Sequence, residues 1–171
     1  AEKVSIPNRE VAQEYVNAVS TMDWHEVARS IEASRKLLEA LWKMDEAAVA
    51  KGVEQAHKEI SVLQYNNENA LSYTVSLALY AARNFYQVYR EFPSGSGFAD
   101  IVYLPRKEFP DKPALIVELK WNKSAEGAIH QILKKQYFQN LEDYSGNMLL
   151  VGINYDLKTR KHECKILEFK K

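Results

Sequence analysis

Cysteine is almost missing from this chain: Cys164 is the only one in 171 residues. No intrachain disulfide can form, zinc sites built on several cysteines are excluded, and a reducing cytoplasm is the expected setting. Long apolar runs are missing too. None approaches the roughly 20 residues that span a bilayer, so no membrane partner is expected. The first residues are charged and have no apolar core of the kind a secretory signal carries. The chain opens on Ala1 rather than a methionine, as a piece cut from a longer protein would. Net charge is absent, with 23 Lys+Arg against 23 Asp+Glu, which gives no support to wholesale nucleic-acid binding. The balance is uneven along the chain, however. Residues 1–83 hold 9 basic against 12 acidic residues, and residues 84–171 hold 14 against 11, so the second half is mildly basic. No glycine-rich phosphate loop is present, so this chain is not expected to hold ATP in that way. No local Ser-His-Asp or Cys-His pattern stands out, and Cys164 sits in a strand-like stretch with no helix N-terminus to activate it. Internal repeats and low-complexity tracts are absent.

What is present is a core-forming pattern, with 46% hydrophobic residues. Apolar residues recur at helical spacing in Arg9–Met22, where Val11, Tyr15, Val16 and Val19 share a face. Asp23 is placed to cap a helix through Ile31, and Ser30 or Ser34 to cap another ending near Met44. A further helix is expected through Leu63, bearing Val49, Val53, Ala56 and Ile60. Short helices with short links suggest a helical bundle over residues 1–65. His25 and His57 lie singly on these helices and are expected to be structural or surface residues. From Asn66 the pattern changes: a helix over Ala70–Arg83, then strands at Phe85–Tyr89, Phe98–Leu104 and Ala114–Trp121. Pro93 to Gly97 reads as a turn, and Pro105 to Pro113 as a charged loop. Ser124 caps a helix running to about Tyr144; strands follow at Met148–Tyr155 and His162–Phe169, the last at an edge. The fold class is therefore α+β with an α/β-like order, a mixed sheet flanked by helices.

Two short pieces carry the chemistry. Gly97-Phe98-Ala99-Asp100-Ile101-Val102 is a glycine turn opening a strand, with one acid among β-formers. In Ile116-Val117-Glu118-Leu119-Lys120, an acid and a lysine interrupt an apolar strand. Side chains alternate across a strand, so Glu118 and Lys120 share a face with Ile116, while Leu115, Val117 and Leu119 face the other way. The two charges then lie roughly 7 Å apart along the strand. Charges beside a core strand are costly unless paired or bound to a metal. The bland alternative is a strand-end surface acid at Asp100 and a salt-bridged edge position at Glu118 and Lys120.

An Asp at the end of one strand, then Glu-x-Lys on its neighbour, resembles the PD-(D/E)XK nuclease superfamily. The resemblance continues through Gln131, Ile132, Lys135 and Tyr137 on the next helix, and covers most of residues 66–168. It is most similar to the nuclease-like domain found C-terminal to AAA-ATPase-like domains, and Ile6–Val11 resembles the segment joining the two. The resemblance implies a restriction-endonuclease-like core over residues 66–171. It also implies an Mg²⁺ (or Mn²⁺) ion held by Asp100 and Glu118, with the Leu119 carbonyl as a third protein ligand. Lys120 would orient the attacking water or stabilise developing charge, and Gln131 would lie beside the metal or the phosphate. The implied partners are nucleic acid, with DNA expected, and an AAA-ATPase-like domain in the full-length protein. A nuclease fold that only binds nucleic acid or docks a partner is the alternative.

Several residues are secondary candidates. Glu68, in the first turn of its helix, and Glu91, before the glycine turn, compete to supply a further acid. Lys134 and Lys135, Arg106 and Lys107, and Arg160 and Lys161 are basic pairs able to contact phosphates. Trp121, Tyr103 and Tyr137 are candidates for stacking on bases.

Overall fold

The computed structural model describes residues 24–59, 67–94, 97–135, 141, 144 and 146–170. The chain divides into two compact units, Ala1–Glu32 and Ala33–Lys171. Helix α1 spans Trp24–Trp42, α2 Glu46–Glu59 and α3 Glu68–Ala78, followed by a 3₁₀ turn at Tyr80–Asn84. Strands β1 (Tyr86–Ser94), β2 (Gly97–Pro105) and β3 (Ala114–Trp121) come next, then helix α4 (Ala125–Lys135) and strands β4 (Met148–Asp156) and β5 (Lys161–Phe169). The order of strands in the sheet is β1-β2-β3-β4-β5. All neighbours are antiparallel except β3 and β4, which are parallel and joined through α4. This is an α+β fold with a mixed five-stranded sheet, consistent with a restriction-endonuclease-like core.

The sheet separates two apolar clusters. On one face Leu115, Val117 and Leu119 of β3 pack with Leu38 and Leu41 of α1, Val49 and Val53 of α2, and Leu71 and Val75 of α3. On the other, Ile116, Leu150 and Met148 pack with Ile129 and Ile132 of α4. The alternation expected along β3 is therefore the one observed.

Helix α1 is continuous where two helices were expected, because neither Gly nor Pro interrupts Trp24–Trp42. Ser34 is not a cap: its buried hydroxyl accepts from Ala81 N at 2.9 Å and so ties α1 to the 3₁₀ turn. Asn67 caps α3 by accepting from Ala70 N. Strand β1 is longer than expected and takes in Pro93 and Ser94, which pair with Phe98 and Gly97. Within it Glu91 has a left-handed φ of 51°. The face presented by β1 switches there: Val88 packs on the cluster shared with α3, and Phe92 on the α4 side. The outer strand β5 is met by α2, where the Glu46 carboxylate accepts from Ile166 N at 2.8 Å.

Candidate functional site

The site forms where β2 and β3 part. Their ladder pairs Tyr103 with Leu115, Val102 with Ile116 and Ile101 with Val117, and stops there. One residue further, the Asp100 carboxylate takes over the role of the missing strand partner: its Oδ2 accepts from Leu119 N at 2.7 Å. A backbone donor that the sheet no longer satisfies thus anchors the acid in the gap. Glu118 and Lys120 come from β3, the middle strand, and are only 2% and 8% exposed. The edge-strand alternative is excluded.

Helix α4 completes the site. Ser124 caps it by accepting from Gly127 N at 3.0 Å, and the Glu163 carboxylate accepts from Ala125 N at 3.3 Å. Asn154, buried beside Lys120 in the β3–β4 ladder, accepts from Lys123 N at 3.0 Å and fixes the turn leading into the helix. The helix lies close to the sheet because Gly152 has no side chain: a Cβ there would press on Ala125 O and sit 2.9 Å from Ala128 Cβ. Gln131 is thereby brought over Glu118 and Lys120. Its Nε2 donates to Glu118 Oε1, and its Oε1 accepts from Lys120 Nζ at 2.6 Å. Only this orientation of the amide offers a donor to the carboxylate and an acceptor to the ammonium. Lys120 Nζ also lies 3.5 Å from Glu118 Oε1.

The electrostatics follow from burial. Burial pushes the Glu118 carboxyl up to about 7, the charge of Asp100 adds to this, and Lys120 and Lys135 pull it back. Burial also raises Asp100; the Leu119 bond opposes it, the Glu68 carboxylate reinforces it, and Lys120 and Lys135 oppose it. Glu68 therefore faces Asp100 electrostatically. Glu91 is exposed and left-handed on β1.

Glu118 Oε2 is buried and has no hydrogen-bond partner among the described residues. A buried carboxylate oxygen without a donor is costly. A hard divalent cation meets that cost, and Mg²⁺ takes one or two carboxylates and keeps waters in its other positions. The pair Asp100 and Glu118 fits such an ion. Among the described residues no group of three or more His, Cys, Asp or Glu side chains forms a closed cage.

The other candidates fall variously. Lys135 is half-buried near both acids, whereas Lys134 is exposed at the end of α4. Arg106 is not at the site; it lies at the far end of β2, where Nε and Nη2 donate to Arg83 O. Tyr103 cannot stack on a base, because it is fully buried against Tyr86. Trp121 is half-buried on the Tyr155 ring, with centroids 4.8 Å apart. Arg160, in the turn between β4 and β5, and Lys161, the first residue of β5, are exposed. Cys164 is buried and its thiol is pushed up by burial, which leaves it inert. Tyr137 and the Ile6–Val11 stretch lie outside the described residues.

Residues 66–165 match the model of the PD-(D/E)XK nuclease superfamily. The match covers more than half of the chain, and the chain belongs to that superfamily. No curated protein matches it. Among the described residues no helix is long and apolar enough to cross a membrane.

Proposed function

We propose that residues 66–171 form a metal-dependent nuclease domain, a phosphodiesterase that cuts nucleic acid, with DNA as its substrate and Mg²⁺ or Mn²⁺ as its ion. Residues 1–65 are its helical extension, and the whole works in the cytoplasm within a larger protein carrying an AAA-ATPase-like domain. The observation that carries this reading is the buried Glu118 Oε2, without a hydrogen-bond partner among the described residues, set beside Asp100 and Lys120 at the opening between β2 and β3.

Asp100, Glu118 and the Leu119 carbonyl are the ligands. The ion, once held, supplies charge neutralisation at the phosphate and acidifies water. Leu119 N keeps Asp100 pointed into the gap. Gln131 holds Glu118 Oε1 and Lys120 Nζ in fixed relation, so that the ammonium faces the reacting phosphate without having to reorganise. Lys120 then orients the attacking water or stabilises charge that develops on the phosphate. Glu68, facing Asp100 from the first turn of α3, is the further acid of the site.

Calorimetric titration of Mg²⁺ and Mn²⁺, followed by incubation with DNA and RNA of several shapes, tests this. Asp100→Asn and Glu118→Gln should lose metal affinity and cleavage together. Lys120→Ala should keep metal affinity and lose about 10²–10³ in rate. An unaltered chain that binds nucleic acid with Mg²⁺ but cuts no shape offered would leave only the binding-module reading standing.

A further inference from the structure

A cavity of about 580 Å³ opens on the α4 side of the sheet; its lining includes Phe92, Leu104, Arg106, Lys107 and Tyr144. We propose that it is a subsite for one nucleotide of a single-stranded stretch of the substrate, a few nucleotides from the phosphate that is cut. The proposal rests on the nuclease reading and names the form of nucleic acid that reading leaves open.

Position is the first argument. Phe92 and Leu104 pack on the same cluster as Ile116, which shares its face of β3 with Glu118 and Lys120. Phe92 pairs with Ala99, the neighbour of Asp100, so the cavity begins beside the site. Leu104 lies four residues along β2 from Asp100, about 13 Å away.

Chemistry is the second. The volume suits a small ligand with an apolar body, and two aromatic rings, Phe92 and Tyr144, are part of the lining. The Tyr144 ring is held in advance, because its hydroxyl accepts from Ala114 N at 3.1 Å and donates to Lys112 O at 3.0 Å. Among the charged lining residues two exposed cations, Arg106 and Lys107, outnumber one carboxylate, Glu108. The guanidinium of Arg106 is fixed by its bonds to Arg83 O, and Lys107 is exposed with no ion pair among the described residues. Aromatic rings and cations lining one cavity match a base and its phosphate. In a duplex both faces of a base are already stacked, so only an unpaired base can use such rings.

The experiment uses the whole chain and labelled oligothymidylates of increasing length, with a blunt duplex for comparison. Binding is followed by fluorescence anisotropy in EDTA, so that nothing is cut. Phe92→Ala should weaken the longer oligothymidylates about 5- to 100-fold and leave the shortest ones and the duplex unchanged. Lys107→Gln should flatten the plot of log affinity against log salt by about 0.7, the slope of one phosphate contact on a single strand. Neither variant should alter metal-dependent hydrolysis of bis(p-nitrophenyl) phosphate, which is too small to reach the cavity. Unchanged oligothymidylate binding in both variants overturns the subsite while leaving the nuclease reading intact. Equal losses on the duplex overturn the single-strand assignment. If the variants lose oligothymidylate affinity but the unaltered chain never hydrolyses the small diester, the subsite stands and the nuclease reading falls. Should Phe92→Ala fail to fold, the exposed Lys107 still decides through its salt slope.

Discussion

Glu118 and Gly152 are partners in the parallel β3–β4 ladder, and the side chain that Gly152 lacks is what lets α4 reach Glu118. Gly152→Ala would drive a methyl into Ala125 O and Ala128 Cβ, and backbone cannot move aside as a flexible side chain can. Overpacking of this kind typically costs about 1–3 kcal/mol. The helix should lift, and Gln131 should lose its grip on Glu118 and Lys120. Chemical denaturation should show the loss of stability, and cleavage should fall by more than the unfolded fraction accounts for.

Glu118 makes stability depend on pH with an unusual sign for a carboxylate. Its carboxyl is raised from the usual 4.5 to about 7, so the fold favours the protonated form. Between those values the folded chain holds a proton that the unfolded chain has lost, so this group's contribution falls as pH rises and is constant above about 7. Glu118→Gln should therefore stabilise the metal-free chain by about 1–3 kcal/mol above pH 7, and hardly at all near pH 4. Urea midpoints that shift equally at both pH values would contradict this.

His162 should act with the opposite sign. Burial lowers it from the usual 6.5 to about 4, with the nearby His57 lowering it further and Glu54 opposing. The rings of His57 and Tyr155 lie 5.5 and 4.8 Å from its own. The unfolded chain takes up a proton that the folded chain refuses, so stability is full above pH 6.5 and declines as pH falls towards 4. In His162→Phe the thermal midpoint should be flatter across that window.

Tyr86 links three parts of the fold through one hydroxyl. It accepts from Trp42 Nε1 at 2.8 Å and donates to Pro113 O at 2.8 Å. Tyr86→Phe removes one atom and leaves a donor and an acceptor unmatched, so it should cost about 1–3 kcal/mol. Tyr86→Leu, which also empties aromatic volume, should cost more. Urea unfolding followed by tryptophan fluorescence measures both.

Much of this arrangement was legible in the residues. The alternation of Ile116 to Lys120 put both charges on one face, and β3 spans the predicted residues. The order of elements after Asn67 also follows from periodicity and from Gly, Pro and Asn. Other features depend on partners distant in sequence. The bond from Leu119 N to Asp100 exists because two strands separate, and no local pattern marks that point. Burial of Tyr103 was invisible for a similar reason: an aromatic in a strand can face either side until its neighbours are known. Gly152, a glycine inside an apolar strand, was the available sign of a close approach. The left-handed Glu91 had no sign at all, since glutamate is not a residue that favours that conformation.

A sheet with two outer strands offers two templates on which another chain can polymerise. A glutamate of α2 blunts one of them. Glu46 occupies the N–H group of Ile166 on β5, a group that would otherwise recruit a foreign strand. On the opposite side the left-handed Glu91 breaks the straight run of β1 that such a strand would need. The sheet therefore parts between β2 and β3 in its middle, while the β5 margin carries a helix carboxylate on an outward N–H.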